Sequence, residues 1–546
     1  MVTFTISGQI IDLFQRRIFP GEIIVAEGII AAIKELSSAP DIFILPGFID
    51  AHIHIESSML VPTSFAQMAV VHGTVSTVSD PHEIANVCGK EGVQYMIDNS
   101  KLSRFKFFFG APSCVPATNF ETAGATLDAV AVAELLQSKD IWYLSEMMNY
   151  PGVLYKDAEV LAKIQAAKEA GKPIDGHAPG LRGDAARDYA AAGMTTDHEC
   201  FTLDEALDKV QLGMHVLIRE GSAAKNYEAL SELIQLHPEK VMFCSDDKHP
   251  DELVLNHIND LVKRSLRKGY DLYDTLRAAC VNPVLHYKIP VGMLRVNDPA
   301  DFIVVNNLDD FDVLQTYIDG HLVADKGTTL LPDIAAEPIN NFKAEERDEK
   351  DFVVEASTVN PVIRVIEAIE GQLVTNELTL PGKVENGYIV SDTERDILKI
   401  AVVNRYEPRA PVAVAFIKNF GLKSGALAST VAHDCHNIIA VGVDDGAICK
   451  AVNVLIQCKG GIAVAKNKDE ADTMPLPVAG LMSLENGSAV AGAYTRIDKM
   501  AKDLGTTLHA PFMTLSFMAL LVIPELKLSD KGLFDGGKFQ FTSVEV

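Results

Sequence analysis

The sequence contains no CxxC pair; its eight cysteines (Cys88, Cys114, Cys200, Cys244, Cys280, Cys435, Cys449, Cys458) are scattered along the chain. That excludes a zinc ribbon and argues against a disulfide framework, so a reducing cytoplasm is the expected setting. An uninterrupted apolar run long enough to span a bilayer is also missing. The first residues, MVTFTISGQIIDLFQRRIFPGEIIVAEG, alternate like strands. They lack the basic n-region, apolar stretch and small-residue cleavage site of a signal peptide. Positive charge is scarce as well. Against 74 Asp plus Glu stand 48 Lys plus Arg, a formal net charge of −26, which repels nucleic-acid phosphates and anionic lipid surfaces. Neither a nucleic-acid nor a membrane partner is expected, and a small neutral or cationic substrate fits better.

At 546 residues, 48% of them apolar, the chain is long enough for two or three domains with sizeable cores. Residues 1–45 and 290–335 read as short strands with Gly turns, and neither piece could bury a core alone. They are expected to pair into a small β-sandwich domain. Between them, over 46–289, short β-rich runs alternate with helical stretches, the pattern of βα units on a parallel sheet. The runs are FILPGFIDAHIH, GTVSTVSD, FKFFFGAP, IWYLSEMM, KPIDGHAP, MTTDHE, MHVLIREGS and VMFCSDD. Seven precede an amphipathic helical pattern closely, and the third does so less directly, through LDAVAVAELLQ. Eight units close a (β/α)₈ barrel, so the expected fold class is α/β with a TIM-like barrel. AAEPINNFKAEERDEKDF then reads as a linker with a solvated charge run. Residues 351–546 form an extra C-terminal α+β domain with strand-like runs (GQLVTNELTLP, IAVVNRY, VAVAFIKN, NIIAVGVDD) and an expected helix at DEADTMPLPVAGLMSLE.

In such a barrel the chemistry sits at the C-terminal ends of the strands. The first run ends in Asp50, His52 and His54, and strand alternation points both histidines the same way. The fourth ends in Glu146, the fifth in His177, the sixth in His198 and the eighth in Asp246 and Asp247. Any one of these could be a satisfied polar side chain or a helix N-cap. Four histidines and two carboxylates at five strand ends together make an N/O ligand set for a divalent ion. Asp80 and Glu83 in SDPHE, and His249 beyond the eighth run, are candidates for moving protons or contacting substrate. A loop-capping role fits the two acids equally. Arg219, Ser222 and Asn226 in REGSAAKN suit substrate or loop contacts, with a structural role favoured for Arg219. AHDCHN brings His433, Asp434 and His436 together, either as a cover for the barrel mouth, as a further ion site, or as a local hydrogen-bonding motif.

The segments IDAHIHIESSM, SDPHEIANV, SEMMNYPGV, DGHAPGL, DHE, REGSAAKN and CSDDKHP carry a closer likeness. With them, the chain resembles the bacterial adenine deaminase family of the amidohydrolase superfamily from end to end. That resemblance implies hydrolytic deamination of adenine to hypoxanthine and ammonia, in purine salvage, by a cytoplasmic homo-oligomer. It implies a binuclear centre in which His52, His54 and the eighth-strand Asp hold the buried ion and His177 and His198 the other. Glu146 would bridge them. Mn²⁺ or Fe²⁺ is favoured and Zn²⁺ is compatible. On such a centre Asp246, chosen over Asp247 as the ligand, is expected to act as general base and then acid, and Glu83 or Asp80, with His249 a weaker candidate, to protonate the ring. Dihydroorotases, hydantoinases and ureases of the superfamily bridge their metals with a carboxylated lysine at strand four, and no lysine lies inside that run here. The adenosine deaminase branch places a catalytic Glu after the strand-five histidine, where this chain has Ala178-Pro179-Gly180. Hydrolysis of a cyclic amide or another aminated heterocycle on the same centre is the alternative, and a non-catalytic binding protein a remote one.

Overall fold

The computed structural model describes residues 3–546. Its parallel strands are short and apolar, as strands covered on both faces are. They are Phe48–Ile53 (β1), Thr74–Ser79 (β2), Lys106–Ala111 (β3), Ile141–Met147 (β4), Ile174–Gly176 (β5), Thr196–Asp197 (β6), His215–Arg219 (β7) and Val241–Cys244 (β8). β1 to β5 hydrogen-bond in chain order, as do β6 to β8, and every pairing is parallel. Between the two sets, β5 lies beside β6. At the other seam Ile53 forms a parallel bridge with Asp246, whose N–H donates to the His52 carbonyl at 3.0 Å. The parallel sheet therefore curls until its first and last strands meet, and all eight C-terminal ends gather on one side.

The helices between strands follow the expected pattern for capping and burial. Asp128, Asp157 and Thr202 accept from the backbone N–H three residues on, starting Ala129–Leu136, Ala158–Glu169 and Leu203–Gln211. Ala158–Glu169 buries Val160, Ile164 and Ala167, a stripe at helical spacing. After β7 the structure differs from the expectation of a full helix. Two short turns, Tyr227–Leu230 and Leu233–Leu236, stand there and stop before Pro238.

The N-terminal strands join those that follow the parallel sheet. Phe43–Pro46 pairs antiparallel with Phe302–Val305, and all eight strands from these two segments hydrogen-bond as one sheet. Ile10, Ile23, Val25 and Phe302 lie in its own core. In the linker the charge run is mostly exposed, but Arg347 and Phe352 are buried, and Phe352 packs into the C-terminal core beside Val452.

The C-terminal region carries a second eight-stranded sheet, running from Thr375–Pro381 at one edge to Ala471–Pro475 at the other. The helix expected at 469–485 is not formed. Residues Ala471–Pro475 are a strand and the rest is irregular, because Pro475 and Pro477 each remove a helical donor. The long helices are instead Asp445–Cys458, capped by Asp444, and Gly487–Asp503, capped by Asn486. This region docks over the strand ends, with Ser483 N–H donating to the Met59 carbonyl at 2.8 Å. No helix among the described residues is long and apolar enough to cross a membrane.

Candidate metal centre

His52, His54, Glu146, His177, His198 and Asp246 converge at the C-terminal ends of the parallel strands, all buried. Glu146 divides its oxygens between two groups. Its Oε1 lies 3.3 Å from His54 Nε2, while its Oε2 lies 2.5 Å from His177 Nδ1 and 3.1 Å from His198 Nε2. Asp246 Oδ1 lies 3.4 Å from His54 Nε2 and 3.7 Å from His52 Nε2. The other Asp246 oxygen accepts from Arg219 Nη1 at 2.6 Å, and Arg219 also grips both oxygens of Glu199.

These donors fit a cation, on two observations. His54 Nδ1 donates to the Asp80 carbonyl at 3.1 Å. Burial would lower His54, but its Nε2 faces two carboxylate oxygens, which by themselves hold a proton there and raise it well above the usual imidazole range; a cation placed there would take that proton's position. His52 is fully buried with neither ring nitrogen partnered, and His177 Nε2 is also alone. Buried imidazole nitrogens without partners are costly unless something binds them. Burial drives His52 well below the usual imidazole range, aided by His198, so its nitrogen is free to ligate. Burial would raise Glu146 and Asp246. His177 and His198 hold the first, and Arg219 with His54 the second, well below the ordinary carboxylate range.

The chain was compared with known proteins. The Amidohydrolase family model matches residues 43–323 and the Adenine deaminase C-terminal domain model matches residues 372–540. The chain is 53% identical over 540 residues to the adenine deaminase of Salinibacter ruber, covering 99% of this chain and 98% of that protein. It is 55% identical to that of Sulfurovum sp., covering 97% and 98%, and 48% identical to that of Borreliella burgdorferi, covering 99% and 100%. The chain belongs to the adenine deaminases of the amidohydrolase family.

For this adenine deaminase family member the strand-end reading brings six residues together and leaves others elsewhere. Strand alternation by itself would turn only one of Asp246 and Asp247 to the site. Both face it, because Asp246 adopts φ +55°, a left-handed conformation that breaks the strand. Asp246 turns to the histidines, and Asp247 Oδ1 accepts from Ser57 Oγ at 2.5 Å. Glu83 sits one side chain behind, its Oε1 3.1 Å from the same hydroxyl oxygen, and burial with Asp247 nearby pushes it well above the usual range. Asp80 caps the turn into the helix His82–Ser100 and approaches His82. Asp50 ties the first and eighth strand ends, accepting from Ser245 N and from His257 Nε2 at 3.0 and 2.8 Å. His249 lies away from the pocket, its ring 4.6 Å from that of Tyr494. Ser222 accepts from His249 N–H, and Asn226 fastens β7 to the end of β6 through the His198 carbonyl.

Two residues beside the ligands went unnoticed in the sequence. His82 Nδ1 lies 3.5 Å from Glu146 Oε1, and Glu199 faces His177 and His198 at 3.7 and 3.5 Å. Each follows or precedes a candidate directly, in DPHE and DHE, and that adjacency was the available signal. His433 and Asp434 reach the pocket from the C-terminal region, with Leu373, Phe517 and Leu520.

Proposed function

We propose that the protein adds water to C6 of adenine and releases ammonia, leaving hypoxanthine, at a binuclear metal centre. The observation that carries the substrate is the likeness along the whole chain, C-terminal region included, to relatives named adenine deaminase. The converging imidazoles and carboxylates support the metal centre. We take the curled sheet as a closed (β/α)₈ barrel over residues 46–289. Beside it stand a small β-sandwich domain of 1–45 with 290–335 and a C-terminal domain of 351–546. A cytoplasmic homo-oligomer in purine salvage is the setting in which we place it. The charge of −26 supports a partner list without nucleic acid or anionic membrane.

His52, His54 and Asp246 would hold one ion, His177 and His198 the other, with Glu146 between them. Divalent cations held there would supply the acidification that makes a water a nucleophile near neutral pH. Mn²⁺ or Fe²⁺ is our choice, and Zn²⁺ suits the same donors. Asp246 takes a proton from the attacking water and returns it to the departing amino group, as general base then acid. A ring nitrogen gains a proton as the water oxygen adds to C6, because electron density moves onto the purine. Glu83, joined to Asp247 through Ser57, supplies that proton. The C–N bond then breaks, ammonia leaves, and the remaining hydroxyl proton restores Glu83.

The test is one assay. Purified protein loaded with Mn²⁺ or Fe²⁺ should release ammonia from adenine, with the ultraviolet change to hypoxanthine, and chelation should stop it reversibly. No ammonia with iron, manganese or zinc would overturn the substrate and leave the fold standing.

A further inference from the structure

One wall of the pocket does not come from the strand ends. Leu373, His433, Asp434, Phe517 and Leu520, all from the C-terminal region, line the cavity alongside His54, Glu146 and Asp246. His433 lies flat on Phe517, ring centroids 4.8 Å apart at 19°. Its Nδ1 is 3.3 Å from Glu83 Oε1, and its Nε2 is 4.0 Å from Asp247 Oδ1. That Nε2 is buried without a partner, as are Asp434 Oδ2 and Glu83 Oε2. Unpaired polar atoms beside an aromatic face suit the polar edge of a ring. The wall is also held as a unit. Lys527 Nζ donates to the carbonyls of Leu373 and Phe517 at 2.6 and 3.0 Å, and His433 N–H donates to the Ser516 carbonyl at 3.1 Å.

We infer that the C-terminal region supplies the specificity wall of the active site. Phe517 and Leu520 cover the flat heterocycle, and His433 Nε2 hydrogen-bonds to its nitrogen-bearing edge. His433 is thus a substrate-binding residue for the purine, and the C-terminal region is part of the catalytic pocket. The identity of the ring rests on the deamination reading above; the existence of the wall does not.

The test uses the full-length, metal-loaded protein and two variants. His433→Phe keeps an aromatic ring on Phe517 and removes the nitrogens; Phe517→Leu keeps apolar bulk and removes the flat face. Hypoxanthine binding is measured by titration calorimetry, beside metal content, melting temperature, and KM and kcat for adenine. Each variant should bind hypoxanthine about ten-fold more weakly or worse and raise KM similarly, with metal content unchanged. Wild-type binding in either would overturn the inference. Should His433→Phe shift the melting curve, His433→Gln, which keeps a polar amide, replaces it. Binding kept in His433→Gln and lost in Phe517→Leu supports the wall, and wild-type binding in Phe517→Leu overturns it. Hypoxanthine binding that His433→Phe weakens, in a protein releasing no ammonia from adenine, would refute deamination and leave the wall standing.

Discussion

Arg219→Met tests whether the centre depends on the cation behind its ligands. Arg219 is 2% exposed and holds two carboxylates at once, Glu199 by both oxygens and Asp246 by Oδ2 at 2.6 Å. The grip on Oδ2 fixes the rotation of Asp246 and turns Oδ1 to His52 and His54. Methionine has a similar length without the charge, so two buried carboxylates lose their counter-ion. Removing one partner from a buried ion pair costs about 3–5 kcal/mol, and losing an orienting neighbour of a ligand weakens metal affinity about 10- to 100-fold. Arg219→Lys should fall between, since a point charge cannot span the same fork. The assay is metal content after dialysis against graded Mn²⁺, with melting temperature and kcat on the same samples. Adding Glu199→Gln to Arg219→Met should recover part of the lost stability, because one stranded charge is gone. A methionine variant with wild-type metal content, melting temperature and kcat would refute the reasoning.

Asp246→Asn should abolish turnover while metal content is largely kept, since the amide still offers an oxygen but cannot carry the proton; full activity would remove Asp246 from the proton path. His249→Phe should keep kcat and KM near wild type, because the ring packs on Tyr494 outside the pocket, and a large loss of kcat would return His249 to the site. Lys527 is buried, and burial pushes its ammonium down from 10.5 to about 7. The unfolded chain then binds more protons than the fold between those values, so stability is fully present above the upper one and is lost as pH falls through the lower. That gives a rise of about 2 kcal/mol from pH 7 to 9, which Lys527→Met should flatten in denaturant unfolding followed at both pH values. An unchanged slope would show that Lys527 does not titrate there.

The strands and the cluster at their ends were legible because both obey local rules. Eight apolar runs could be counted, five of them ending in candidate ligands, and the period of two in HIH placed His52 and His54 on one face without reference to the rest of the chain. His82 escaped because it opens a helix rather than closing a strand, although Asp80 and Glu83 beside it were noticed. The helix expected at 469–485, already interrupted by Pro475 and Pro477 in the sequence, failed for that visible reason: each proline removes a helical donor. Asp247 escaped the alternation rule because Asp246 takes a left-handed φ of +55°, a conformation that costs free energy for a non-glycine residue and is kept where the surroundings demand it. Local rules fail at that point because two adjacent carboxylates serve two different partners there.

His433 and Asp434 show the other limit. Their neighbours in the pocket, His82, Glu83 and Asp247, come from a helix and a loop at the strand ends, a distant part of the chain. No periodicity links them, and AHDCHN alone fits a local motif as well as an active-site segment. What selects between those roles is the placement of unpaired buried nitrogen and oxygen atoms, a property of the folded cavity. A fold can tolerate such atoms when a ligand completes them, and the side that lacks partners is the side that faces the ligand. On the proposed reading the strand-end cluster and the C-terminal wall are two halves of one recognition problem: one set of unpaired atoms would be completed by cations, and the other by the edge of a ring.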